Sequence, residues 1–112
     1  MTPTASADTT PLHYQEQTLA LGDHQVVARI PQGFKLELLT ADLHRPRLMT
    51  FTANGDLLIG SSSGRVYRIA PPYTTPQVLV KLPDYPHSVA VRKHEILIAQ
   101  TDGIYRAPYQ PG

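Results

Sequence analysis

From residue 25 onward the chain alternates short apolar runs with turn residues, and the spacing of those runs predicts strands throughout. Residues 25–30 form an apolar-rich run after Gly22-Asp23. Pro31-Gln32-Gly33 then separates it from residues 34–39, where Phe34, Leu36 and Leu38 alternate with Lys35 and Glu37. A period of two describes a strand with one wet face. Beyond Arg45-Pro46 come three runs in quick succession, at 48–52, 57–60 and 66–69, joined by Ala53-Asn54-Gly55-Asp56 and by Ser61-Ser62-Ser63-Gly64. Asn54-Gly55 tolerates positive φ and so predicts a tight hairpin turn, whereas the serine-rich connection is looser. A proline-rich break at 71–76 precedes a run at 78–82 that carries Lys81 among apolar residues, the pattern of an outer strand. No stretch shows a convincing helical period.

The three-run unit is written twice. PRLMTFTANGDLLIGSSSGRVYRI, starting at Pro46, is echoed by PHSVAVRKHEILIAQTDGIYRA, starting at Pro86, 40 residues later, and Tyr105 follows Tyr67 by 38. Such a period matches the roughly 40 to 50 residues of a four-stranded propeller blade. In a blade the inner strands are apolar on both faces while the outermost carries charge. Leu57-Leu58-Ile59 and Ile96-Leu97-Ile98 are the continuous apolar runs, and Lys35, Glu37 and Lys81 lie in runs that would be outermost. Taken with the outer strand first, the blade units span 34–69 and 78–107. The expected fold is therefore all-β, two four-stranded antiparallel blades of a partial propeller at 25–112, after a flexible N-terminal lead at 1–24. Two blades cannot close a ring, and each exposes apolar faces. Head-to-tail association is thus expected, in which the strand at 34–39 of another copy, or further sequence of a parent protein, completes the edge left by residues 104–107.

Composition narrows the function classes. The 112 residues carry 41 % hydrophobic and 17 % charged side chains with 11 Pro and 7 Gly, a single turn-rich domain's worth of chain. The net charge of +1, without clusters of Lys or Arg, gives no footprint for nucleic acid or an anionic membrane surface. With no cysteine, neither a disulfide framework nor a thiolate metal site is expected, and the redox compartment is unmarked. The start, MTPTASADTTP, has neither the basic end nor the apolar run of a secretory signal, and no run approaches the roughly 18 apolar residues of a membrane span. A soluble chain is expected.

Several elements together resemble the opening of the glucose/sorbosone dehydrogenase family. They are Gly33-Phe34-Lys35-Leu36-Glu37-Leu38, Arg45-Pro46-Arg47-Leu48-Met49, residues 53–60, Gly64-Arg65-Val66-Tyr67, residues 86–90 and Gly103-Ile104-Tyr105-Arg106. The resemblance covers about residues 26–107 and consists mostly of blade grammar. It implies a six-bladed quinoprotein that oxidises an aldose or related sugar by hydride transfer to pyrroloquinoline quinone (PQQ), with a histidine base and calcium supporting the cofactor. It also implies a periplasmic or extracellular setting. The family's catalytic histidine lies in a later blade and no segment here matches its motif, so this chain is expected to be the N-terminal two-blade portion, inactive alone and holding neither PQQ nor calcium by itself. The rival reading is an oligomerising two-blade module that binds a glycan or a protein without catalysis.

Candidate chemistry is accordingly sparse. The connections that enter the innermost strands and those joining the second and third strands share one mouth of a propeller. They contain His44, Arg45 and Arg47, then Tyr85 and His87, with the loops 61–65 and 101–103. Arg47 and His87 occupy matching positions one residue after the repeat's proline and are the ligand-binding candidates; no catalytic residue and no metal ligand is assigned. His13, His24 and His94 lack ligand spacing and are surface residues in this reading. Asp56 and Asp102 are turn residues, the serine run lacks a nucleophile elbow, and the recurring Tyr67 and Tyr105 suggest packing before sugar stacking.

Overall fold

The structure is a computed structural model that describes residues 11–110. The chain forms two compact units, Met1–Leu38 and Leu39–Gly112. It is all-β, with three antiparallel sheets of two, four and three strands and no helix among the described residues.

In the first unit the expected lead is only partly open to comparison, since residues 1–10 lie outside the described residues. Residues 14–24, placed in that lead by the sequence, belong instead to a hairpin. Strand β1 (Tyr14–Leu21) pairs antiparallel with β2 (His24–Pro31), in register from Tyr14 opposite Pro31 to Leu21 opposite His24. Gly22, at φ 61°, supplies the left-handed residue that a two-residue connection requires. The strand expected at 34–39 is a second correction. Its backbone belongs to no sheet. Gln17 Nε2 donates to Leu36 O at 2.6 Å while Leu36 N donates to Gln17 Oε1 at 2.9 Å, and Gln15 Nε2 donates to Phe34 O at 3.1 Å. Two glutamine amides projecting from β1 thus take up main-chain groups that a ladder would have used.

The second unit holds the repeat. Strands β3 (Pro46–Phe51), β4 (Leu57–Ser61), β5 (Arg65–Ile69) and β6 (Gln77–Lys81) form a four-stranded antiparallel sheet in chain order; β7 (Ser88–Arg92), β8 (Glu95–Gln100) and β9 (Gly103–Pro108) form a three-stranded one. The strands expected from the three-run units are all present, but their grouping differs. The run at 78–82, expected to open the second sheet, pairs with β5 and completes the first, so the outer strand comes last in its sheet rather than first. Local geometry enforces this. Leu82 N donates to Gly64 O at 2.7 Å, and Gly64 sits at φ +92° with Leu82 O 2.6 Å from where a Cβ would stand. The backbone of 82 is therefore drawn against the β4–β5 loop, which only glycine permits. The second sheet consequently has three strands, not four, and β9 is its edge.

Two apolar clusters explain the burial. Leu58 and Val66 of the first sheet pack with Val89, Ile96 and Ile98 of the second and with Tyr109, so the two sheets meet face to face; Val80, Leu82, Val91 and Ala107 flank the contact. On the other face of the first sheet, Leu57, Ile59, Tyr67 and Ile69 cluster under Leu43 and Tyr73. β4 is thus buried along its whole length, as its unbroken apolar run requires. Each fully buried Leu or Ile contributes about 1.5–3 kcal/mol of transfer free energy to holding the sheets together.

Candidate functional site

The inner ends of the two sheets are locked by main-chain bonds. Leu48 N donates to His87 O at 3.2 Å, Ser61 N to Pro86 O at 2.8 Å, and Ser62 N to Arg45 O at 3.0 Å. Gly60 permits this approach, since a Cβ there would lie 2.4 Å from Pro86 O and 2.7 Å from His87 O. The two proline-led entries and the β4–β5 loop therefore share one end of the unit. Asp84 N, donating to Gln100 Oε1 at 3.1 Å, ties the second entry to the end of β8.

Arg47 is exposed on β3, next to the residue whose amide is bonded to His87 O. His87 is half-buried and its Nδ1 lies 3.3 Å from Ser88 Oγ. Arg45 is exposed at φ 51°, a left-handed turn residue before the inner strand. His44 is exposed. With Asp42, Leu43, Arg65, Tyr67, Thr75, Pro76 and Val78 it lines an open depression of about 570 Å³ beside the β4–β5 loop.

Tyr67 is the organised group of that depression. Its ring belongs to the apolar cluster over β4, and its phenol oxygen accepts the His44 amide at 3.0 Å. Burial works against ionisation of this phenol, but the His44 amide, the Arg65 guanidinium and the Ser63 hydroxyl together hold its pKa below the ordinary tyrosine value. Asp42, His44 and Arg65 make no ion pair among the described residues. The depression therefore offers a cation, an imidazole and a carboxylate above an apolar floor, the composition of a polar-ligand site.

A buried network that sequence reasoning missed lies behind the other face. Asp56, read as a turn residue, is buried, and its Oδ2 accepts Arg68 Nε at 2.8 Å, Arg68 Nη2 at 2.8 Å and the Tyr109 hydroxyl at 3.1 Å. Burial pushes the Asp56 carboxyl up, yet the bonds from Arg68, Tyr109 and Asn54 outweigh it and hold the pKa below 3.8. Tyr109 N also donates to His94 O at 2.8 Å, so this residue joins the second sheet's turn to the first sheet's carboxylate. A signal existed in the sequence: Asp56 and Arg68 recur as Glu95 and Arg106, an acid before the central strand and an arginine on the next. At the same end as His94, a smaller basic hollow is lined by Arg92, Lys93, His94, Glu95 and Arg106.

Among the described residues no group of three or more His, Asp or Glu side chains is gathered so as to hold a metal ion. The chain matches no known family model, no curated protein and no solved structure.

Proposed function

We propose that residues 39–110 are two consecutive blades of a β-propeller of the quinoprotein glucose/sorbosone dehydrogenase kind, a scaffold portion that acts only with further blades. The observation that carries this reading is the face-to-face stacking of two repeat-related sheets whose inner strands β3 and β7 lie side by side, bonded from Leu48 N to His87 O. Consecutive blades around a common axis have this relation. In this reading Arg47 and His87 face the mouth and contribute ligand contacts, while the reacting base and the cofactor's ligands come from blades beyond them. The test is dye-linked aldose oxidation with added PQQ and calcium, on the 112-residue chain and on the product of its reading frame extended past Gly112. Silence of the first and turnover by the second are expected. A frame that ends at Gly112, or an extended product without turnover, sinks the dehydrogenase reading.

A second reading, glycan binding without catalysis, is favoured by the depression around Asp42, His44, Arg65 and Tyr67. It predicts signals on a carbohydrate array that fall when Asp42→Asn or Arg65→Gln is introduced. An array without signal removes it.

A further inference from the structure

The register of the two sheets allows their residues to be matched one to one. Ile59 opposes Tyr67 and Met49 in the first sheet; Ile98 opposes Tyr105 and Val89 in the second. By this matching Met49 and Phe51 correspond to Val89 and Val91, while Leu58 and Val66 correspond to Leu97 and Ile104. The contact between the sheets is therefore heterologous: the Leu58/Val66 face of the first meets the Val89/Ile98 face of the second. The second sheet keeps its other face open; the first sheet's other face is covered at Leu57, Ile59, Tyr67 and Ile69 but open at Met49 and Phe51, and these two open surfaces correspond to the two halves of the same contact. Val89 is 8 % exposed whereas its counterpart Met49 is 64 % exposed; Val66 is fully buried whereas its counterpart Ile104 is 76 % exposed.

We infer that the spare face of the second sheet (Ala90, Leu97, Ala99, Ile104) docks the spare inner strand of the first sheet (Met49, Phe51) in a second copy of this chain, repeating the internal contact head to tail. The occupant follows from continuity, since the one surface known to fit a Leu58/Val66-type face is a Val89/Ile98-type face, and a second copy presents its counterpart. The inner half of that counterpart is the open half. Leu43 and Tyr73 cover the cluster around Leu57 and Tyr67, while Met49 and Phe51 remain exposed on β3, the strand corresponding to β7. A shallow apolar hollow of about 380 Å³, lined by Ser88, Ala90, Leu97, Ala99 and Ile104 among others, receives them. One difference weakens the repeat. Ala99 stands where the internal contact has Gly60, whose missing Cβ admits the incoming main chain, so the junction between copies is looser than the internal one. A heterologous contact of this sort propagates or closes into a ring according to its rotation. The inference rests on the reading of the two sheets as blades but on no part of its sugar chemistry.

The test is light scattering of the purified chain across a concentration series reaching about 100 µM, with circular dichroism as a fold control. Wild type is expected to assemble with concentration. Met49→Lys and Ile104→Lys, each an exposed position, are each expected to be folded monomers, and their equimolar mixture is expected to form a heterodimer, because one intact junction remains between them. Ala99→Gly is expected to tighten assembly several-fold by restoring the glycine of the internal contact. A wild type that stays monomeric overturns the inference, as does a mixture of the two lysine variants without heterodimer, or assembly that neither lysine weakens. Should a lysine variant unfold, assembly unchanged or weakened by Ala99→Gly overturns it. Sugar oxidation is not measured here, so failure of the docking leaves the dehydrogenase reading to its own test.

Discussion

Two sheets built from one repeated text end up in different physical states. Tyr67 is 4 % exposed and its hydroxyl is fixed by a backbone amide, whereas Tyr105, at the same register position, is 44 % exposed and donates to the Asp102 carboxylate at 2.8 Å. Buried Asp56 and half-buried Arg68 pair at 2.8 Å; Glu95 and Arg106, their counterparts, stand 4.0 Å apart near solvent. The difference comes from what lies on each face. The first sheet is covered on one side by the second sheet and over most of the other by Leu43 and Tyr73, while the second sheet has a single covered face and, among the described residues, no fourth strand. Burial, more than residue type, thus sets the worth of each repeated interaction.

That comparison can be broken most directly at the contact itself. Gly60→Ala places a Cβ against the main chain of Pro86 and His87, where no flexible side chain can yield, and is expected to separate the inner ends of the sheets or unfold the unit, read as loss of the cooperative denaturant transition. Next comes the pair of Asp56 and Arg68. Asp56→Ala leaves the half-buried Arg68 without its partner and is expected to cost about 2–3 kcal/mol in urea unfolding, whereas Glu95→Ala is expected to cost less than about 0.5 kcal/mol. Equal losses would show that the two sheets are energetically alike.

Tyr109→Phe removes the hydroxyl that reaches Asp56 but keeps the ring, and a loss of about 1–2 kcal/mol is expected. Acid stability sharpens the point. Because the Asp56 pKa is lower folded than unfolded, its stabilisation is present above the ordinary value of 3.8 and is lost as pH falls from there through the folded value. Stability measured downward from pH 5 should therefore fall with a slope that Asp56→Asn reduces. Smallest is Tyr105→Phe, expected to lie within about 0.5 kcal/mol of wild type, since Tyr105 and its carboxylate partner are exposed.

Much of the fold was legible along the chain. The strands at 46–51, 57–61, 65–69, 88–92 and 95–100 coincide with apolar runs bounded by Asn-Gly, serine-rich and proline turns, because strand formation there follows local alternation and turn chemistry. Of the hairpin at 14–31, the second strand was read as the run at 25–30, but its partner was not legible, since β1 interleaves Gln, Glu and Thr with few apolar residues and follows a Thr- and Ser-rich stretch. Residues 34–39 have the alternation of a strand but meet glutamine side chains in place of a neighbouring strand. At the site, the repeat placed Arg47 and His87 at equivalent positions, but it could not show that the His44 amide bonds the Tyr67 hydroxyl, nor that buried Asp56 accepts from Tyr109, 53 residues away.

The sequence by itself determined the all-β class, the repeat and its turns, because each follows from periodicity and backbone preference within a few residues. The tertiary structure alone decided which sheet β6 joins, which faces are spare and which carboxylate is buried. Those outcomes depend on close approaches between distant segments, at Gly60 and Gly64 above all, and on the coverage of whole faces, neither of which a run of residues carries.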